Sequence, residues 1–298
     1  MLMSKDMEKD IERHDKILAG VVDIAKKINE EANMELDIIY NEDCIGEKGM
    51  CIIPDKCIDM ILCDLPYGTT ACSWDTIIPF EPLWKQYKRI IKDEGSIILF
   101  GRQPFTSFLI VSNIEWFRYC WIWNKHRAAN FIFANRQPLR ITEDICVFYN
   151  KQPTYNPQKV RNPKGIEKRS FYRESNGKQA LDIMPTRDKK VKHGQNYEPD
   201  KLLPITLLSF KRDNKPMHPT QKPVALFRYL IKTYTNEGNI VLDNCIGSGT
   251  TAVACKQLGR HYIGFEISEK YCEIAKQRLE QEKTLWDIQK EKTNYIKR

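Results

Sequence analysis

Seven short apolar runs, most of them separated by segments of helical period, limit the folds open to this chain more than any other feature. The runs are LDIIY (36–40), CIDMILC (57–63), SIILF (96–100), YCWIW (119–123), DICVFY (144–149), NIVLD (239–243) and YIGFE (262–266). Runs of this length and content read as strands. EPLWKQYKRIIKD precedes SIILF, KPVALFRYLIKTY precedes NIVLD, and TTAVACKQLG precedes YIGFE, each with a helical pattern. Strand and helix in alternation predict an α/β fold, a doubly wound and mostly parallel seven-stranded sheet with helices on both faces. Residues 124–143 carry no clear helical period, so YCWIW and DICVFY are expected as an antiparallel hairpin at one end of the sheet.

Charge is distributed unevenly along this frame. The net charge is +8, yet residues 151–215 hold 16 Lys/Arg against 7 Asp/Glu, which leaves a net of −1 for everything else. A basic excess confined to one segment is the footprint of a nucleic-acid contact surface, with a solvated basic loop as the plainer alternative. The segment is rich in Pro, Asn and Gly, lacks periodicity, and carries Tyr155, Phe171, Tyr172, Tyr197 and Phe210. It is too long for an ordinary loop and reads as an insertion that works against a ligand. Residues 4–33 read as an amphipathic helix with Met7, Ile11, Leu18, Val21, Val22, Ala25 and Ile28 on one side.

No apolar run of about 18 residues occurs, and MLMSKDMEKDIERHDK lacks the apolar core of a secretion signal, so a cytoplasmic protein is expected. Ten cysteines include no C-x-x-C pair, and none of the five histidines completes a ligand cluster. Several cysteines lie inside strand patterns, where a thiol acts as a small hydrophobe; reduced cysteines and no metal are expected.

Two constellations carry chemistry. In DNCIGSGTTA (243–252) a strand ends at Asp243, a glycine turn follows, and a helix of small residues begins. Glycines let a ligand approach the backbone, and the helix start offers unpaired N–H groups. Glu266 ends the next strand, where an acid can take both hydroxyls of a ribose. The pattern is also a G-x-G-x-x-A dinucleotide fingerprint, which keeps a nicotinamide enzyme in view. The second constellation, Asp64-Leu65-Pro66-Tyr67-Gly68, directly follows the CIDMILC strand. A carboxylate, a stiffened turn and a ring at a strand's carboxyl end can hold a planar base and its amino group, although alone they are also an ordinary turn.

Together, DLPYG and DNCIGSGTT resemble the D-P-P-Y and D-P-F-x-G-S-G-T-T motifs of the DNA amino-methyltransferases. Their order, catalytic motif first and cofactor motif last, is similar to the β group of that family. NEDC (41–44) falls where the family's adenine-side acid lies, and HPTQKP (218–223) resembles its methionine-side motif. WIWNK (121–125) and RITEDICVF (140–148) resemble its sheet-end hairpin. The resemblance covers about residues 36–150 and 216–275. Leu65 stands where the family has proline, and Asn244-Cys245 stand where it has Pro-Phe.

The resemblance implies a Rossmann-like methyltransferase acting on adenine N6 in duplex DNA, with cytosine N4 as the alternative. Asp64, Leu65, Pro66 and Tyr67 would be catalytic. Asp43, Cys44, Thr220, Lys222, Asp243, Cys245, Gly247, Gly249, Thr250, Thr251 and Glu266 would bind S-adenosylmethionine. Lys125 and Arg127 at the hairpin, with Lys189 and Lys190 of the insertion, would contact DNA, and His126 lies between the first two. The chain would divide into an N-terminal helix (1–35), a catalytic half (36–150), a target-recognition insertion (151–215), a cofactor half (216–280) and a basic tail (281–298). Double-stranded DNA is the implied partner in a bacterial or phage-infected cell, near the nucleoid; a homodimer and a cognate restriction endonuclease are partners that the resemblance allows. A methyltransferase of RNA or of protein amides is the alternative on the same fold. A non-catalytic DNA-binding subunit predicts loss of Asp64, Tyr67, Asp243 or Glu266, and all four are present. C5-cytosine chemistry uses a thiolate, usually in Pro-Cys, and no Pro-Cys occurs.

Overall fold

The computed structural model describes residues 34–68, 75–161, 201–213 and 221–282. The expected N-terminal helix over 4–33, and Thr220, Lys189, Lys190 and residues 283–298, lie outside them. The strands are β1 (Ile38–Tyr40), β2 (Ile58–Cys63), β3 (Ile91–Gly101), β4 (Phe117–Ala129), β5 (Arg140–Phe148), β6 (Val160–Arg161), β7 (Lys201–Leu202), β8 (Leu207–Ser209), β9 (Ile240–Asp243) and β10 (His261–Phe265). The helices are α1 (Phe80–Ile90), α2 (Phe105–Ser112), α3 (Val224–Tyr234), α4 (Thr250–Leu258) and α5 (Glu269–Gln281). None of them is long and apolar enough to cross a membrane.

The chain forms two compact units, and the smaller spans Pro157–Ile205. Its described part includes the two-residue antiparallel ladder of β6 with β7. The larger unit holds a sheet in the order β1-β10-β9-β2-β3-β5-β4-β8. β1, β10, β9, β2 and β3 run parallel, and β3–β5 and β5–β4 are antiparallel. The hairpin therefore lies where the loss of helical period placed it.

Side chains alternate across each strand, and both faces are buried. Ile61 and Cys63 of β2 point into the core layer that contains Leu83, Tyr87 and Leu109 of α1 and α2. Met60 and Leu62 point into the other, with Leu226 and Leu230 of α3, Val253 of α4 and Ala275 of α5. An apolar run without polar alternation is what a strand covered on both sides requires.

The sheet has eight strands among the described residues rather than the expected seven. Leu207–Ser209 adds to β4 in parallel, with Leu207 opposite Ile122 and Ser209 opposite Asn124. Trp123 Nε1 donates to the Phe210 carbonyl at 2.8 Å and fastens this added strand. Residues from Thr206 onward thus belong to the sheet unit, whereas the insertion was expected to run to 215. The boundary of α1 also differs. Its helical pattern was read through IKD, but the helix ends at Ile90 and Ile91 already opposes Ile58 of β2.

Candidate active site

β2, β9 and β10 run parallel, so Asp64, Asp243 and Glu266 all emerge at one edge of the sheet, with Asp43 just beyond β1. In open α/β sheets that edge is where ligands bind. A cavity of about 530 Å³ opens there, and it brings together Asp43, Cys44, Asp64, Leu65, Pro66, Tyr67, Lys222, Asp243, Cys245, Gly247, Thr250 and Glu266. These are residues that the two constellations, together with NEDC (41–44) and HPTQKP (218–223), singled out. Gly249 and Thr251 do not line it; they shape the turn below.

At one end, Asp64 is gripped from two sides. The Tyr67 hydroxyl donates to its Oδ1 at 2.5 Å, and Lys222 Nζ donates to its Oδ2 at 2.5 Å. Lys222 is buried, lies 3.3 Å from Glu143 Oε2, and sits over the Phe100 ring at 5.2 Å. Glu143 in turn bonds Lys125 Nζ at 3.0 Å. Burial raises the Asp64 pKa, and the Lys222 ammonium opposes that rise. Burial works on Glu143 in the same sense, but Lys222 and Lys125 together hold its carboxyl below the usual range. Desolvation disfavours the Lys222 ammonium, yet Asp64 and Glu143 outweigh it and raise its pKa. The ammonium–carboxylate contact thus favours an ionised Asp64.

The loop carrying Leu65, Pro66 and Tyr67 is fixed from beyond. Asp75 Oδ1 accepts from the Tyr67 and Gly68 backbone N–H groups at 2.8 and 2.9 Å. Tyr67 packs against Phe105 with ring centroids 5.0 Å apart.

At the other end lies the glycine turn. Asp243 is 3% exposed, accepts from Thr251 Oγ1, and takes the Cys245 N–H at 3.1 Å. Burial pushes its pKa up to about 7, against those hydrogen bonds. Its carboxylate therefore holds the turn together, and it borders the cavity while doing so. Glu266 accepts from Gly247 N–H at 2.9 Å and from Ser268 N–H at 2.8 Å, and burial raises its pKa. A carboxylate has about four acceptor sites, so Glu266 keeps capacity to accept from a ligand hydroxyl. A Cβ placed on Gly247 would meet nothing within 4 Å, so a ligand can come directly onto that backbone. Arg278 braces the turn from α5, donating to the Ser248 carbonyl at 2.6 Å.

The Asn244-Cys245 departure has a local account. Tyr87 donates to Asn244 Oδ1 at 2.5 Å, and Asn244 Nδ2 points to Cys44 Sγ at 3.4 Å. A buried amide thus links α1, the 41–44 loop and the turn.

One expected role does not match the geometry. Lys125 was placed among DNA contacts, yet it is 5% exposed and committed to Glu143. Lys222 was placed on the cofactor's methionine side; it lines the same cavity, with its Nζ bonded to Asp64. Arg127 is exposed on β4 and does not line the cavity. His126 bonds Ser209 Oγ at 2.6 Å. Glu143, Asp75 and Arg278 were missed altogether. The one signal for Glu143 was an acid placed inside a strand pattern.

A family model described as DNA methylase matches residues 58–277. The Type II methyltransferase M.HpaI of Haemophilus parainfluenzae is 28% identical over 247 residues, covering 79% of this chain and 72% of its own length. The Type II methyltransferase M.HinfI of Haemophilus influenzae is 28% identical over 282 residues, with 85% and 70% covered. Among solved structures, the complex of M1.HpyAVI with SAM aligns with a TM-score of 0.52 at 24% identity, over 81% of this chain and 98% of that one. PvuII DNA methyltransferase, cytosine-N4-specific, aligns at 0.55 with 14% identity, over 80% and 84%. Both likenesses show a shared fold.

Proposed function

The chain belongs to the DNA methylase family, and from that premise we propose that it moves a methyl group from S-adenosylmethionine to adenine N6 in duplex DNA. The observation that carries this reading is one cavity with Asp64-Leu65-Pro66-Tyr67 at one end and the Gly247–Glu266 pair at the other.

The residues fit the donor. Glu266, with acceptor capacity left, suits the ribose hydroxyls, and the open backbone at Gly247 lets the molecule lie close. Ile246, Phe265 and Ile267 offer apolar walls for its adenine, and Asp43 and Cys44 border the same space. When bound, S-adenosylmethionine supplies a methyl already activated by a sulfonium, so no covalent enzyme intermediate is needed.

The chain's own task is to make the amine reactive. An exocyclic amine is a poor nucleophile because its lone pair is delocalised into the ring. Donation of its N–H groups to Asp64 and to the Leu65 carbonyl localises that pair and aims it. An ionised Asp64 accepts roughly twice as strongly as a neutral carboxyl, which gives Lys222 and Tyr67 their purpose: they orient the carboxylate and favour its charge. Positioning of this kind supplies several kcal/mol. Tyr67 offers a ring on which the base can stack.

The target base must leave the duplex to arrive here, at a cost of a few kcal/mol. The basic 151–215 segment is assigned the phosphate contacts. The resemblance favours adenine over cytosine, since in the family pattern an aspartate opening the tetrapeptide goes mostly with adenine N6; the two amines themselves are near-isosteric donors. The test is to incubate the chain with unmethylated plasmid and S-adenosylmethionine and analyse the digested nucleosides by mass spectrometry. N6-methyladenine is expected. N4-methylcytosine alone would overturn the base assignment, and unmodified DNA would overturn the reaction.

A further inference from the structure

The β4–β5 hairpin walls the cavity with Lys125, Ala129 and Glu143, and then continues past it. Its tip is one turn of 3-10 helix, Phe131–Phe133, in which no residue is buried. Phe131 is 63% exposed, Ile132 86% and Phe133 38%. Water solvates such side chains poorly, and three in succession at a protruding turn mark a contact surface. The turn itself is well formed. Asn130 adopts φ 74°, and the N–H groups of Phe133 and Ala134 donate to the carbonyls of Asn130 and Phe131, each at 3.0 Å. Ile132 lies three residues past Ala129, so its Cα is within roughly 11 Å of the cavity wall.

The rim of this apolar tip is cationic. Arg127 and Arg136 are exposed and Arg140 partly so, and no Asp or Glu occurs between Lys125 and Thr142. A partner that matches both features is polyanionic outside and apolar within. A base-paired duplex is such a partner, and it must deliver a base to the adjoining cavity.

We propose that Phe131, Ile132 and Phe133 wedge into the duplex at the target pair and fill the space the flipped base leaves. Arg127, Arg136 and Arg140 take the flanking phosphates. Apolar wedges that unstack a base step are known physical solutions to this problem. The inference rests on the base-flipping reading above.

The test compares the wild type with Ile132→Ala and with the triple variant Phe131→Ser, Ile132→Ser, Phe133→Ser. Modification-sensitive sequencing of plasmid treated with the wild type first defines the methylated sequence. Two duplexes carry that sequence, one fully paired and one with a mismatch opposite the target base. On the paired duplex the triple variant should lose roughly 10- to 100-fold in kcat/KM, with a smaller loss for Ile132→Ala. On the mismatched duplex, where opening the pair costs little, both should approach the wild type. S-adenosylmethionine affinity by calorimetry should be unchanged in both, which shows that they are folded. Equal losses on the two duplexes, or none on either, overturn the wedge. Normal transfer with loss of self-association in sedimentation would assign the tip to a second copy instead. A wild type that methylates no duplex at all would remove the reading on which the wedge depends.

Discussion

Lys222 and Asp64 face each other at 2.5 Å inside a buried charge network, and the chemistry assigned to Asp64 needs its anion. Burial alone would protonate the carboxyl at higher pH, and the lysine resists that. Lys222→Met removes the cation while Glu143 stays nearby, so the Asp64 pKa must rise. The acid limb of the kcat–pH profile should then move upward by roughly 1 to 3 pH units. Activity at high pH should be far less affected, and melting curves at both ends of the range would show whether the fold persists. An acid limb that does not move would detach Lys222 from the reaction. Asp64→Asn, by contrast, should abolish transfer while calorimetry still finds S-adenosylmethionine bound, because its assigned role is to the target amine. At this scale the sequence was informative wherever a site is contiguous: Asp64 with Tyr67, and Asp243 with Gly247, sit within a few residues of each other. Glu143, Asp75 and Arg278 could not be found that way. Each acts on a motif residue through a bond made only when the chain has folded, and apart from Glu143's place inside a strand pattern nothing local distinguishes them from surface charges.

Helices and strands with strong periodic patterns were legible, and those whose packing demands few side chains were not. α5 buries only Cys272, Ala275 and Leu279, a stripe too thin to stand out among its charges. α2 is nearly uniform in hydrophobicity over eight residues, and β8 buries Leu208 alone. The glycine turn shows how one element constrains its neighbours. Gly247 and Gly249 both hold left-handed backbone, at φ 54° and 79°. A side chain in that conformation costs roughly 1–2 kcal/mol at either place. The surroundings then separate them. A Cβ on Gly249 would come within 2.8 Å of the Ala275 Cβ of α5, whereas one on Gly247 enters open cavity. Gly249→Ala should therefore lose about 2 kcal/mol or more in urea unfolding, since α4 and α5 must part. Gly247→Ala should lose only the backbone cost, yet weaken S-adenosylmethionine binding measurably, because the methyl group projects into its site. If both variants lost equal stability and bound the donor equally well, the turn would not divide its labour as the geometry indicates.

Across the whole molecule, charge separates what the basic segment and the rest of the chain can contribute to a polyanion. Residues 151–215 carry a net of +9 and the remainder −1. A remainder near neutrality can offer a cavity and a few local arginines, but it cannot by itself supply a long track of phosphate contacts. If the basic segment does so, binding releases condensed counterions, and log K falls linearly with log salt at about −0.9 per phosphate neutralised. Affinity for a short fluorescent duplex should thus drop steeply between roughly 50 and 200 mM salt, by anisotropy. Replacing Lys189 and Lys190 together by alanine removes at most two such contacts, so the slope should flatten by up to about 1.8 while S-adenosylmethionine binding is unchanged. The sign matters as much as the size. A variant with weaker binding but a parallel slope would mean that these lysines act through folding or base contacts, and binding that ignores salt would return the segment to a solvated basic loop. A flattened slope with unaltered sequence choice would mark it as the part that holds the duplex while the sheet edge performs the transfer.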